Sequence, residues 1–420
     1  MLRILVNAYA CSPNRGSEPG MAWNWCVNLA KYCELHIITE GEFKEDIETA
    51  LQTLPCGDKM HFYYLPIGGE DDARSVKIRK RCWNQGDWRF YLDYAKWQKR
   101  ALEVARKIIA QQHIDILHQL NMIGFREPGC LWKIENIPYI WGPTNAKEAF
   151  PVTYLDGAPF KKKAFIYVKN LITRFQLRSS RKVHGAARRA DTVIAASTDS
   201  ANSIRKFLDI NPIIINESAC EPQTNGIERK GNTDSLVLLW VGRFIFTKQL
   251  SLALKILSKL TNINVQLHIV GDNNSDSYQE EAKKLGVAEL CIWHGMVSHD
   301  EVQQMMRDSD MLLFTSVAEG TPHVVLEAIA NGLPVLCFDT CGQGDCVNEK
   351  VGIKIPLTNP RQSVRDFAEK IEYLYHHREV LQTMSENCKK RAEELSWENK
   401  ARKMVSLYEQ VLKKHNVTTV

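Results

Sequence analysis

What this 420-residue chain lacks narrows it first. No stretch approaches the roughly 18 unbroken apolar residues of a spanning helix, so no transmembrane segment is expected. The opening Met1-Leu-Arg-Ile-Leu-Val-Asn7 runs straight into a strand pattern, without the basic, apolar and small-residue order of a secretory leader. A cytoplasmic protein is expected. The twelve cysteines contain no CxxC pair. Cys337, Cys341 and Cys346 cluster, but no histidine pattern completes a zinc site, and buried thiols in a reducing compartment are the expectation. No GxGxxG follows a strand, which counts against a nicotinamide-dependent enzyme.

One kind of charge is also missing locally. Between Gly157 and Ala190 there is no Asp or Glu, while Lys161, Lys162, Lys163, Lys169, Arg174 and Arg178 lead a series of cations. Phe160, Phe165, Val168, Leu171, Ile172 and Phe175 interleave them. Residues 160–190 therefore read as a basic amphipathic stretch, suited to an anionic membrane surface or an anionic lipid-linked acceptor. A merely solvated helical face is the alternative. No nucleic-acid module accompanies the charge, so nucleic acid is not an expected partner.

What is present points to two α/β domains. At 420 residues the chain exceeds one ordinary core. Short apolar runs fit strands at Leu2–Asn7, Glu34–Thr39, Lys59–Leu65, Ile114–His118, Pro138–Trp141 and Thr192–Ala196, with helical patterns between them. A second series starts at Leu236–Val241 and continues at Val265–Val270, Cys291–Trp293, Met311–Thr315 and Pro334–Phe338. The prediction is two doubly wound, Rossmann-like domains facing across a cleft, over 1–216 and 235–395. The polar stretch 217–234 would link them, and a helix in 396–420 would pack back on the first domain.

The chemistry concentrates at strand exits, where ligands of such sheets bind. After Met311–Thr315 comes Ser316-Val-Ala-Glu-Gly-Thr-Pro-His-Val-Val-Leu-Glu327. Pro322 suits the first turn of a helix, leaving the amides of Thr321, His323 and Val324 free for an anion. Glu319 and Gly320 precede that turn, and Glu327 lies inside the helix. One anion site flanked by two hydroxyl-binding carboxylates describes a sugar nucleotide. After Leu236–Val241, Gly242-Arg243 and Lys248 place a forked and a compact cation at another helix start, where they would stabilise a departing diphosphate. At the N-terminus, Gly16 and Gly20 would let backbone approach a ligand. His118 closes its strand and could bond a sugar hydroxyl; Asn145, Lys147 and Glu148 offer polar groups to an acceptor.

These residues resemble a family 4 retaining glycosyltransferase with the GT-B fold. The resemblance rests on Gly242-Arg243 with Lys248, Ile269-Val-Gly-Asp272, His294-Gly295-Met-Val-Ser298, and Glu319 through Glu327 running on to Pro334. It implies that Glu319 contacts the donor hexose, Glu327 the ribose, Arg243 and Lys248 the diphosphate, and His294 the base pocket. His118 would sit beside the transferred sugar. It implies no cofactor and no metal, with a nucleotide diphosphate sugar as donor and a glycan or lipid-linked sugar as acceptor. Three positions depart from the pattern: Pro322 and Gln249 replace glycines, and Thr144-Asn145-Ala146 replaces a Gly-Gly pair after Gly142-Pro143. A sugar-nucleotide epimerase and a non-catalytic sugar-nucleotide-binding subunit are the competing readings.

Overall fold

The computed structural model describes residues 1–82, 87–155, 158–222 and 235–418. They form two compact units. The first comprises Met1–Glu148, Ile172–Glu217 and the chain from Trp397, the second Ala149–Leu171 and Ser218–Ser396.

The first unit holds β1 (Leu2–Ala8), β2 (Cys33–Thr39), β3 (Met60–Tyr64), β4 (Ile116–Asn121), β5 (Tyr139–Thr144), β6 (Thr192–Ala195) and β7 (Ile213–Ile214). All pair in parallel, in the order β3-β2-β1-β4-β5-β6-β7. Ile4, Leu5 and Val6 of β1 are wholly buried, as a central parallel strand covered on both faces requires. Helix Ser17–Ala30 buries Met21, Ala22, Trp25 and Leu29 and meets helix Trp397–Thr418 through an edge-to-face contact of Trp25 with Trp397 at 5.6 Å. The Trp25 indole N–H donates to the Glu217 carbonyl at 2.8 Å, satisfying the ring's one polar atom. Replacing Trp25 by Ala would cost about 3–5 kcal/mol through the cavity and the orphaned carbonyl.

The second unit holds β8 (Leu236–Val241), β9 (Val265–Val270), β10 (Cys291–Gly295), β11 (Met311–Phe314), β12 (Val335–Phe338) and β13 (Gly352–Ile355), again all parallel, in the order β10-β9-β8-β11-β12-β13. β13 has no counterpart among the predicted strands. Helix Pro360–His376 starts where Asn359 accepts the Gln362 amide and Pro360 occupies the first turn.

The units depart from the contiguous division 1–216 and 235–395. Residues 149–171 belong to the second unit because Tyr154 is an anchor there: it is buried, its hydroxyl shares a hydrogen bond with Ser363 at 2.7 Å, and its ring meets Phe338 edge-on. Of the expected linker 217–234, residues 217–220 are buried, and 223–234 lie outside the described residues. Among the described residues no helix is long and apolar enough to cross a membrane.

Candidate functional site

In a doubly wound sheet the chain starts centrally, works outward, then crosses to the other side, and the loops at that crossing diverge to leave a crevice. In the second unit the crossing falls between β8 and β11. The two loops are stitched together. The Thr315 hydroxyl donates toward the Lys248 and Gln249 carbonyls and accepts the Trp240 indole N–H, while the Val317 amide donates to the Thr247 carbonyl, which Ser316 Oγ also approaches at 3.1 Å. A further clasp comes from Gly342, whose amide donates to the Gly320 carbonyl at 2.9 Å. A Cβ there would lie 2.6 Å from Thr321 Cα, so only glycine permits the approach.

This stitching brings Lys248 Nζ within 2.7 Å of Glu319 Oε1, the same oxygen that accepts from the Ser316 hydroxyl. Both side chains are mostly buried, and the ammonium also lies over the Phe314 ring at 5.3 Å. Their shared oxygen is Oε1, which leaves Oε2 available to a ligand hydroxyl. Arg243 is exposed and forms no ion pair among the described residues. Asp272, in the loop after β9, accepts the Phe244 amide at 2.7 Å and fixes the turn that carries it. Ser316, Thr315 and Asp272 are thus positioning residues. Ser316 and Asp272 stood in the quoted motifs without a role, and the i to i+3 spacing of Ser316 and Glu319 was their available signal.

Gln249 adopts φ 54°, ψ 45°, the left-handed region that glycine occupies most freely. A turn of that shape explains why a glycine would suit this position. The glutamine is held there by its own amide, which donates to the Phe246 and Tyr154 carbonyls at 2.9 and 3.3 Å. Pro322 is the N-cap of helix His323–Ala330, one position earlier than expected, with extended ψ of 119°. The first-turn amides are therefore those of His323 and Val324, while Thr321 is buried in the loop. The His323 imidazole meets Ser218 Oγ at 3.2 Å. Glu327 lies 3.6 Å from His299 Nε2, at the start of the preceding helix His299–Asp308. His294 meets His268 of β9 at 3.2 Å, and burial lowers the pKa of both.

The first unit treats its expected site residues differently. His118 does not end its strand: β4 continues through the buried Gln119, Leu120 and Asn121. Its ring is fully buried, with Nδ1 2.7 Å from the Tyr408 hydroxyl and Nε2 2.6 Å from the Gly142 carbonyl. Burial drives its pKa down to about 4, only partly opposed by that carbonyl. Both nitrogens are taken, so the expected bond to a sugar hydroxyl has no free atom to make it. Asn145 Oδ1 accepts from Ser200, Lys147 pairs with Asp199 at 3.2 Å, and Glu148 pairs with Arg174 and Lys206, both at 2.8 Å. These three expected acceptor contacts are occupied within the unit. Gly16 caps helix Ser17–Ala30, and a Cβ on it would meet nothing within 4 Å, so the space beside it is open.

One residue absent from the expected set stands at the first unit's own crossing, between β1 and β4. Glu18 accepts the Ile123 amide at 2.5 Å. Burial raises its pKa to about 7; that amide opposes the shift and Glu217 adds to it. Its signal was the acid inside the Gly16-Ser-Glu-Pro-Gly20 loop, which the glycines overshadowed.

Comparison with known proteins bears mainly on the second unit. The family described as glycosyl transferases group 1 matches residues 224–391. Over this segment, two fifths of the chain, the sequence is similar to the group 1 glycosyl transferases. Sulfoquinovosyl transferase SQD2 of Arabidopsis thaliana is 28% identical over 214 residues, covering 49% of this chain and 39% of that protein. Lipopolysaccharide 1,6-galactosyltransferase of Salmonella typhimurium is 34% identical over 129 residues, covering 30% and 35%. The matched stretch thus spans less than half the length of these curated relatives. The crystal structure of Anabaena HepE in complex with UDP matches with a TM-score of 0.57 at 13% identity, over 98% of this chain and 100% of that one. Two doubly wound units of this kind are the GT-B fold. The Lys248–Glu319 pair and the His323 turn both lie inside the matched group 1 segment.

Proposed function

We propose that the protein is a retaining, metal-independent glycosyltransferase that moves a hexose-type sugar from a nucleotide diphosphate sugar to a glycan or lipid-linked acceptor, as in cell-surface polysaccharide synthesis. The observation supporting this reading is the Lys248–Glu319 pair at the β8/β11 crossing, whose loops also carry an exposed Arg243 and the first-turn amides of His323 and Val324. Two cations and two amides suit the charge that grows on a departing diphosphate, and fixed donors favour the transition state over the ground state. Glu319, tethered by Lys248 and Ser316, fits a hydroxyl binder better than a mobile nucleophile. In the reaction, the bond from the anomeric carbon to phosphate oxygen breaks and one to the acceptor oxygen forms on the same face. The acceptor's proton passes to the leaving phosphate. Relatives that carry sugars onto lipopolysaccharide support the acceptor class.

Helix Phe160–Ser179 supports a cytoplasmic enzyme that works at an anionic membrane face. Its buried positions, Ile166, Asn170, Thr173 and Leu177, recur at helical spacing, and two of the four are polar. Its large apolar groups point out instead: Phe160 is 84% exposed, Phe175 69%, Phe165 65% and Leu171 64%. An outward aromatic face beside Lys161, Lys163 and Lys169 is the reverse of a solvated helix and suits an interfacial one.

The test is donor turnover with and without a sugar or lipid-linked acceptor. Acceptor-dependent release of nucleoside diphosphate with retained anomeric configuration is expected. Free isomerised sugar nucleotide without acceptor would replace the reading with an epimerase. Binding without turnover across a donor panel would leave a binding subunit.

A further inference from the structure

In the first unit, far along the sequence from the group 1 segment, two strands place three ligating side chains on one face of the sheet. Glu34 and His36 are two residues apart on β2, and His61 of edge strand β3 is the register partner of His36. Glu34 Oε1 lies 3.3 Å from His61 Nε2 and 3.8 Å from His36 Nε2, and all three ligand atoms fall within 4.8 Å of one another. His36 is fully buried, and its Nε2 has no hydrogen-bond partner. A buried polar atom left unpaired costs about 1–3 kcal/mol, and here it faces a second imidazole and a carboxylate oxygen. The two imidazole rings lie 4.9 Å apart with their planes inclined by 30°.

We infer that Glu34, His36 and His61 form a binding site for a borderline divalent transition metal, Zn2+ in the first instance, that clips edge strand β3 to β2. Ligand bonds of about 2.0–2.1 Å in a tetrahedron set neighbouring ligand atoms roughly 3.3 Å apart. The Glu34–His61 separation already has that value; the Glu34–His36 pair at 3.8 Å closes by about half an ångström, and the two imidazole nitrogens, within 4.8 Å of each other, draw together by side-chain rotation. Two imidazoles and one carboxylate oxygen suit Zn2+ and its neighbours, not Mg2+ or Ca2+. Outer partners are also in place. The Tyr63 hydroxyl meets His36 Nδ1 at 3.0 Å, and with that nitrogen donating to it, Nε2 presents its lone pair to the cluster. Arg3, the register partner of Glu34 on β1, holds the other carboxylate oxygen at 3.0 Å, leaving Oε1 for the metal. The His61 side chain is 43% exposed, which gives the ion an entry from solvent and leaves a fourth position for water.

The full chain, stripped with a chelator and dialysed against micromolar ZnCl2, tests this by retained zinc and thermal melting. One zinc per chain and a raised Tm are expected. His61→Ala and Glu34→Gln, both at partly exposed positions, should each weaken retention at least about tenfold and abolish the rise in Tm while circular dichroism stays unchanged. Because twelve cysteines compete, Co2+ loading serves as the second readout: visible d–d bands without thiolate charge transfer are expected. No zinc on the native chain, equal retention by both variants, or a thiolate band would each overturn the assignment.

Discussion

The two sheets share a topology and differ in what occupies the crossing point. In the second unit, the loops at the β8/β11 crossing carry an ammonium, a guanidinium and the first-turn amides of helix His323–Ala330. In the first, the β1/β4 crossing is closed by its own amides: the Asn121 side-chain amide donates to the Ala10 carbonyl at 2.7 Å, and Asn7 donates to Gln98 at 2.7 Å. The nearby histidine is sealed between Tyr408 and Gly142. One crossing carries cationic side chains, and the other spends its polar groups on holding itself together. Under the proposed function, the same topology serves two ends, and side chains alone assign the diphosphate to the second unit.

The largest effect that could break this contrast concerns His118. Its folded pKa is about 4 against an ordinary 6.5, so the unfolded chain takes up a proton between those values and the folded chain does not. Stability from this group is full above about pH 6.5 and falls as pH drops toward 4, by about 3 kcal/mol in all. His118→Asn should lower Tm at neutral pH, because Tyr408 and the Gly142 carbonyl lose a partner, and should remove that part of the acid slope. A variant with native Tm and slope but lost turnover would return His118 to the reaction and erase the distinction.

The next effect belongs to the other crossing. Lys248→Ala and Glu319→Ala should each reduce transfer at least about tenfold, about 1.4 kcal/mol or more of barrier, with Tm little changed. Since the two side chains touch, the double variant should lose less than the product of the single losses. Native turnover in either folded variant would remove the pair from the site.

Much of the second unit was legible because its candidate site residues lie close in sequence to the strand ends that position them. Each short apolar strand ends in a loop whose polar residues belong together, so Lys248 and Glu319 could be matched from separate strand exits. The first unit was less legible because its polar residues answer to distant partners. His118 is decided by Tyr408, 290 residues away, and Glu148 by Arg174 and Lys206. No spacing rule reports such pairings. Glu34, His36 and His61 were invisible for the same reason: strand register, not sequence, makes them neighbours. The boundary near 149–171 failed because Tyr154 follows its core and not its place in the chain.

A smaller effect sharpens the first crossing. Glu18 holds its proton to about pH 7 in the folded state and to about 4.5 when unfolded. The folded state therefore binds more protons across that window, and stability from this group declines as pH rises through it, opposite to His118. The two slopes offset each other between about pH 4.5 and 6.5. Glu18→Gln should make the rise of Tm with pH visibly steeper over that range. An unchanged profile would mean that the carboxyl is solvated after all.

The smallest effect lies on helix Phe160–Ser179, where sequence and burial can be set against each other. If the face is interfacial, binding to vesicles containing anionic lipid should weaken as salt rises, since exposed charges are screened beyond about 8 Å at physiological ionic strength. Replacing Lys161 and Lys163 by Gln should lower that binding several-fold and flatten its salt dependence. Lys162 is the poorer choice, because its ammonium lies over the Phe246 ring at 4.4 Å and its loss would also disturb packing. Phe165→Ser and Phe175→Ser, both exposed, should weaken binding without changing its salt slope, separating the apolar part from the charged one. If neither pair of substitutions alters vesicle binding, the outward aromatics serve something other than a membrane.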